Sequence, residues 1–353
     1  QSSTTLETFD ASGLNGDLTA DLSTIVVSNT LDSVKSGGGD DAVIVDAGGL
    51  QSAATINLGG GSSDSIELRG TAVLRPNMSG AEDVILAPTG AGLTFDGEDT
   101  TGVNRFIIAE SPAGDVTLVD TGANNTLVLT GDGTGQTIES QASGTLALRV
   151  SLEDGERSGT SDRAVKSFAA ASLQLTIDSG MAYSGTVSAD SVLDTVQVAV
   201  NGTASTAKIS ATAAQYLDVT SVENASTIDL VASAATSLAV SADSDLDLSG
   251  GSLTALQQMT LDTNGDLDLS LAFTAFVSAD INGSGSVEFG DLGTTSSTSA
   301  NISITADGLA GTGTAGSAAL QIGKLATDGR SITLDASEIL GKTIIDGSVN
   351  ADG

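Results

Sequence analysis

The sequence predicts an all-β chain whose short strands stack as a β-solenoid. Three observations carry this. Apolar and polar residues alternate strictly in short runs, each run is closed by Gly, Asp, Asn or Ser, and in the second half the pattern recurs about every 20 residues. An antiparallel sandwich with evenly spaced strands would share the alternation; a repeat holding two strands and a turn favours solenoid rungs, each burying the aliphatic row of the next.

The runs appear in order along the first half: Thr24-Ile25-Val26-Val27-Ser28, Ala42-Val43-Ile44-Val45, Thr55-Ile56-Asn57-Leu58, Asp64-Ser65-Ile66-Glu67-Leu68, Asp115-Val116-Thr117-Leu118-Val119 and Thr126-Leu127-Val128-Leu129. In the second half Asp245-Leu246-Asp247-Leu248-Ser249 returns as Asp266-Leu267-Asp268-Leu269-Ser270, and loosely as Ser286-Val287-Glu288-Phe289-Gly290. Between the copies lie a second strand and an acidic turn, first Met259 to Gly265, then Phe276 to Gly283, with a third version over Ile302 to Gly308. The organisation read from this is a β domain over 1–148 carrying glycine-rich turns, a junction over 149–172, and a repeat domain over 173–353. The junction holds Arg149, Arg157, Arg163 and Lys166, with a short helix expected over Asp162–Leu173; it reads either as a contact with an acidic neighbour or as a solvated loop.

Composition narrows the function. The 353 residues carry 12 Lys and Arg against 45 Asp and Glu, a formal charge of −33. That excess repels nucleic acid and anionic lipid, and makes divalent cations the natural partners. Only 7 Phe, 2 Tyr and no Trp are present, so the core is expected to be thin and aliphatic. With no Cys and no His, disulfides, most zinc sites and imidazole chemistry are gone, which argues against an enzyme. No apolar run reaches the length of about 18 residues that marks a membrane span. The chain opens on Gln1 without a leader and reads as a processed form or a fragment.

Two turns stand out. Ser36-Gly37-Gly38-Gly39-Asp40-Asp41-Ala42-Val43 and Gly59-Gly60-Gly61-Ser62-Ser63-Asp64-Ser65-Ile66 approach the nonapeptide G-G-x-G-x-D-x-U. In that pattern glycines permit a tight turn with inward carbonyls, and the aspartate closes an oxygen cage around a hard cation. The candidate ligands are Gly37, Gly39, Asp40, Asp41, Gly59, Gly61 and Asp64. Asp41 and Asp64 lie much further apart than one nonapeptide, so plain glycine-rich turns remain the alternative. A second acidic segment, Asp280-Ile281-Asn282-Gly283-Ser284-Gly285 continuing to Asp291, has the spacing of an EF-hand or dockerin loop. Its flanks read as strands of the repeat, which favours an acidic solenoid turn; Asp262, Asn264, Asp280, Asn282, Ser284 and Asp291 are its candidate calcium ligands.

The two glycine-rich turns resemble the RTX calcium-binding repeats of type I-secreted proteins. The composition and rungs resemble the β-strand-repeat region of bacterial S-layer proteins. The resemblance implies an extracellular, secreted structural protein at the cell surface, with calcium as its cofactor. Its partners would be copies of itself in a lattice or filament, with cell-surface polysaccharide as a further candidate. The alternative is a calcium-dependent adhesin that binds a surface glycan or another cell. A cluster of aromatics would favour that, and Phe273, Phe276 and Phe289 are the nearest approach to one. Paired carboxylates such as Asp245 with Asp247 could serve catalysis, but Asp-Leu-Asp-Leu-Ser places Leu inward and Asp on a solvated face more simply.

Overall fold

In the computed structural model, residues 6–24, 29–109, 114–123, 125–141, 143–152, 158–189, 192–201, 205–222, 225–293, 301–311, 318–326 and 331–345 are described. These residues form 34 short strands and one three-residue 3-10 helix, Ala47–Gly49, capped by the Asp46 carboxylate. The strands pair in parallel with the equivalent strand of the next turn, so the protein is an all-β solenoid. The chain divides into two compact units, Gln1–Ala171 and Ser172–Gly353.

In the first unit one wall is built from Thr19–Asp21, Ala42–Asp46, Ser65–Leu74, Asp83–Asp96, Arg105–Ile108, Thr126–Thr130 and Gly144–Ser151, paired in that order. Because side chains alternate across a strand and parallel pairing preserves the phase, each inward position stacks on its counterpart one turn away. Val43, Ile66, Val84, Phe106, Leu127 and Leu148 form one such column, and Val45, Leu68, Leu86, Ile108, Leu129 and Val150 the next. All are buried. Each contributes about 1.5–3 kcal/mol of burial, which makes the column the main cohesive element. Phe95 meets Phe106 inside, with ring centroids 5.5 Å apart.

The second unit repeats the scheme from Ser172 onward. Leu173, Val196, Leu217, Leu238, Met259, Ala279, Ile304 and Leu334 share one register column on one wall. Leu246, Leu267, Val287 and Leu320 share one on another. The recurrence of Asp-Leu-Asp-Leu-Ser in the sequence is therefore one turn of the solenoid.

The expected helix over Asp162–Leu173 is not there. Gly159–Ser161, Ala164–Ser167 and Ala170–Ile177 are strands. Ala164–Ser167 pairs with Thr137–Ser140, and Val165 falls in register on Ile138; the edge offered by the preceding turn overrides local helix propensity. Two basic residues of this segment, Arg163 and Lys166, are placed apart, one inside and one outside. Arg163 is wholly buried, and its Nη2 donates to the carbonyls of Ala109, Thr130 and Asp132, clamping adjacent turns from inside. Lys166 sits outside, 3.4 Å from Glu139. Arg157, and most of the expected strand Thr24–Ser28, lie outside the described residues.

Candidate metal centre at the glycine-rich corner

The two glycine-rich segments stack directly on each other as successive corners of the first unit. Gly60 N–H donates to Gly37 O and Gly39 N–H to Gly60 O, both at 3.0 Å. The interval from Asp41 to Asp64 is therefore one turn here. The glycines are needed for this stacking. A Cβ on Gly59, whose φ is +82°, would lie 1.8 Å from Gly37 O, and one on Gly37 would lie 1.9 Å from Leu14 O. The carbonyls of Gly37 and Gly60 accept hydrogen bonds of the inter-turn ladder.

The carboxylates run along this corner in two series. Asp41 Oδ1 accepts Leu18 N–H at 2.8 Å, Asp64 Oδ1 accepts Asp41 N–H at 2.7 Å, and Glu82 Oε2 accepts Asp64 N–H at 2.8 Å. Beside them, Asp17 Oδ1 accepts Asp40 N–H and Asp40 Oδ1 accepts Ser62 N–H, each at 2.9 Å. Turn amides that the ladder cannot reach thus find acceptors on the neighbouring turn. Gly39 O, Asp64 Oδ1 and Asp40 Oδ1 converge at Gly61, lying 2.4, 2.9 and 3.0 Å from where its Cβ would sit.

Asp41 and Asp64 are only 1% and 0% exposed. Their second oxygens, Asp41 Oδ2 and Asp64 Oδ2, are buried and have no hydrogen-bond partner. Burial pushes the Asp64 carboxyl above its ordinary value, against the Asp41 N–H bond that lowers it; the negative charges of Glu82, Asp41 and Asp40 add to the rise. A buried carboxylate oxygen without a partner is costly when charged, and at Asp64 a proton or a cation would offset that cost. The donor set is oxygen only, which suits a hard divalent ion such as calcium. Asp41 and Asp64 would hold it, and its charge would offset their mutual repulsion.

The other candidate ligands are placed differently. Asp262 and Asp280 face outward from the strands Gln258–Thr263 and Ser278–Gly283, and Asp262 lies in register with Asn282. Asn264 donates to Asp243 Oδ1 at 2.9 Å and accepts from Ser284 Oγ at 3.0 Å. Asp291 lies beyond a further strand, Ser286–Phe289, and accepts Lys324 N–H at 3.0 Å. The segment is the acidic turn of a solenoid rung, and the spacing of an EF-hand does not become an EF-hand loop. Asp17 and Glu82 were missed because they fall outside the nonapeptide; Asp17 precedes Asp40 by the same interval that separates Asp41 from Asp64, which was the available signal.

One exposed acidic group also escaped the sequence. Carboxylate oxygens of Asp96, Glu98 and Asp120 lie within 4.8 Å of one another. Asp96 accepts Glu98 N–H, and Glu98 pairs with Arg75 at 2.6 Å. Phe273, Phe276 and Phe289 are at most 1% exposed, so they pack the interior and form no ligand platform. Among the described residues no helix is long and apolar enough to cross a membrane. No family model, curated protein or solved structure matches the chain.

Proposed function

We propose that this protein is a structural solenoid of a bacterial cell surface, stabilised by calcium, whose copies assemble into an extracellular lattice or fibre. The observation that carries the reading is the buried Asp41–Asp64 pair with its two unpartnered oxygens. Buried like charges are costly alone, and a chain at −33 has few cations of its own to offset them. A calcium-rich exterior supplies the ion, so folding would tighten on export. The aliphatic columns run without aromatic platforms, which suits a stiff spacer better than a sugar-binding cleft.

The test is to strip the protein with EGTA, return millimolar calcium or magnesium, and follow thermal melting by circular dichroism and assembly by negative-stain electron microscopy. At a hundredfold excess over Kd, calcium should add about 2.7 kcal/mol, or about 5–10 °C in Tm for a unit of this size. Ordered sheets or filaments should appear with it. A melting curve and monomeric state indifferent to both ions would sink the proposal.

A further inference from the structure

Asn-Gly dipeptides occur at Asn15, Asn201, Asn264 and Asn282. The pair has a chemistry of its own. Glycine leaves the following backbone nitrogen without a side chain to shield it, so that nitrogen can approach the asparagine side-chain carbonyl. Whether it does so depends on the local backbone. In an extended strand the nitrogen is turned away from the side chain, and hydrogen bonds on either group must break before the two meet. Gly202 lies outside the described residues, so three of the pairs have a described backbone.

Two of these three are held. Asn282 and Gly283 end the strand Ser278–Gly283, and a Cβ on Gly283 would lie 2.0 Å from Thr263 O, so this backbone is packed against the preceding turn. Asn264 lies between strands, but its N–H donates to Ala242 O at 2.7 Å and its side-chain amide donates to Asp243 Oδ1 at 2.9 Å. Its side-chain oxygen accepts from Ser284 Oγ at 3.0 Å, and Gly265 is buried. Asn15 and Gly16 differ on every count. Both are exposed and lie outside any strand, and a Cβ on Gly16 would meet nothing within 4 Å. Among the described residues, the Asn15 side chain and the Gly16 N–H have no hydrogen-bond partner.

We infer that Asn15-Gly16 is a self-modification site, which converts to aspartate and isoaspartate with water as its sole co-reactant. The Gly16 nitrogen attacks Asn15 Cγ. The N–Cγ bond forms, the Cγ–Nδ2 bond breaks, and the proton lost from Gly16 is balanced by the one that the departing ammonia takes up. Water then opens the cyclic imide. Attack at Cγ breaks the new bond and leaves an aspartate in a normal chain. Attack at the main-chain carbonyl breaks the original peptide bond and routes the chain through Cβ as isoaspartate. One amide and one water become one carboxylic acid and one ammonia, and nothing is oxidised or reduced. Each event adds a negative charge beside Asp17, which follows Gly16 directly. It also acts on the corner. Leu14 O accepts Gly38 N–H and Asp17 Oδ1 accepts Asp40 N–H, both at 2.9 Å, and isoaspartate adds one methylene to the chain between these two anchors. The first turn is thereby loosened from the second. The inference depends neither on calcium nor on assembly.

The experiment incubates the folded full chain in heavy-oxygen water at mildly alkaline pH and maps its peptides by mass spectrometry over time. Asn15 should gain the mass of an amide-to-acid exchange, with one heavy oxygen, at least about tenfold faster than Asn264 or Asn282, because those two must first open locally. In guanidinium the three should convert at comparable rates, since the dipeptide is the same and the strands are gone. Gly16→Ala, which the open space around Gly16 accommodates, should slow conversion of Asn15 at least about tenfold by shielding the nitrogen, with an unchanged circular dichroism spectrum. Chains that carry isoaspartate should exchange the amide hydrogens of Gly38 and Asp40 faster than fresh ones. Equal rates at the three positions in the folded chain, or conversion of Asn15 in guanidinium alone, overturn the site. A Gly16→Ala chain that converts as fast as wild type overturns the imide route. Unchanged exchange at Gly38 and Asp40 in isoaspartate-bearing chains overturns the loosening of the corner.

Discussion

Two acidic stacks, one in each unit, are built from the same residue types at the same one-turn interval, and they behave oppositely. Asp41 and Asp64 are buried, with oxygens lacking partners. Asp247 and Asp268 look outward, and each closes a turn by accepting the N–H two residues on, at Ser249 and Ser270, both at 2.8 Å. The difference is parity. Asp41 shares its phase with Val43 and Val45, and Asp64 with Ile66 and Leu68, so both point where the aliphatics point. Asp247 sits between Leu246 and Leu248, and Asp268 between Leu267 and Leu269, on the opposite phase. A shift of one position along a strand separates a candidate cation site from a solvated face.

The largest effect should come from truncation. Asp64→Ala in calcium leaves Asp41 N–H buried without its acceptor and removes one side of the site. The expected loss is about 3 kcal/mol, or about 6–12 °C in the Tm of this unit. Asp268→Ala, on the exposed column, should change stability by no more than about 0.5 kcal/mol. Equal shifts in calorimetry would erase the distinction between the stacks.

A smaller effect, with a definite sign, follows from protons. The folded-state value of Asp64 lies above the ordinary 3.8, so its contribution is fully present below 3.8 and is lost as pH rises through the folded value. Without divalent ions, lowering the pH from neutral into the carboxylate range should therefore raise Tm. Calcium should invert that trend, because the proton then competes with the ion for the same oxygens. Asp10, Asp21 and Asp335 act oppositely: hydrogen bonds from the Ser12, Ser23 and Ser337 side chains, then from their N–H groups, hold them below 3.8. Their stabilisation is present above 3.8 and fades as pH falls through the lowered values, so stronger acid should bring Tm down again. Tm measured against pH in EGTA and in calcium checks both signs; parallel curves would remove the proton–cation competition at Asp64.

The sequence made the rungs legible because parallel stacking preserves phase: a Val at an inward position forces the residue one turn on to be inward too, and the recurrence of Asp-Leu-Asp-Leu-Ser is that rule in plain view. Over 162–173 the rule failed, since Ala169 to Ala171 and the neighbouring charges suit a helix locally and only pairing with Thr137–Ser140 makes Ala164–Ser167 a strand. At the corner, the glycines and both aspartates were legible, and the interval between them looked like a departure from the nonapeptide repeat. It is the local turn length. What a motif could not supply was the hydrogen-bonding ladder through Asp17 and Glu82, because those residues belong to neighbouring turns rather than to the pattern.

The smallest expected effect sharpens the comparison from the exposed side. Asp268 stands in register between Asp247 and Glu288, like charges directly opposite on both sides. Asp268→Asn keeps an acceptor for Ser270 N–H and removes both repulsions, so at low salt it should stabilise by about 0.5 kcal/mol. The gain should vanish in high salt, where exposed charges are screened. Asp64→Asn also keeps the acceptor, for Asp41 N–H, and in EGTA it should stabilise as well, but burial shields that pair from the ions in solution, so its gain should persist as salt rises. Melting both variants across a salt series separates a repulsion that solvent can relieve from one that only a bound proton or cation can.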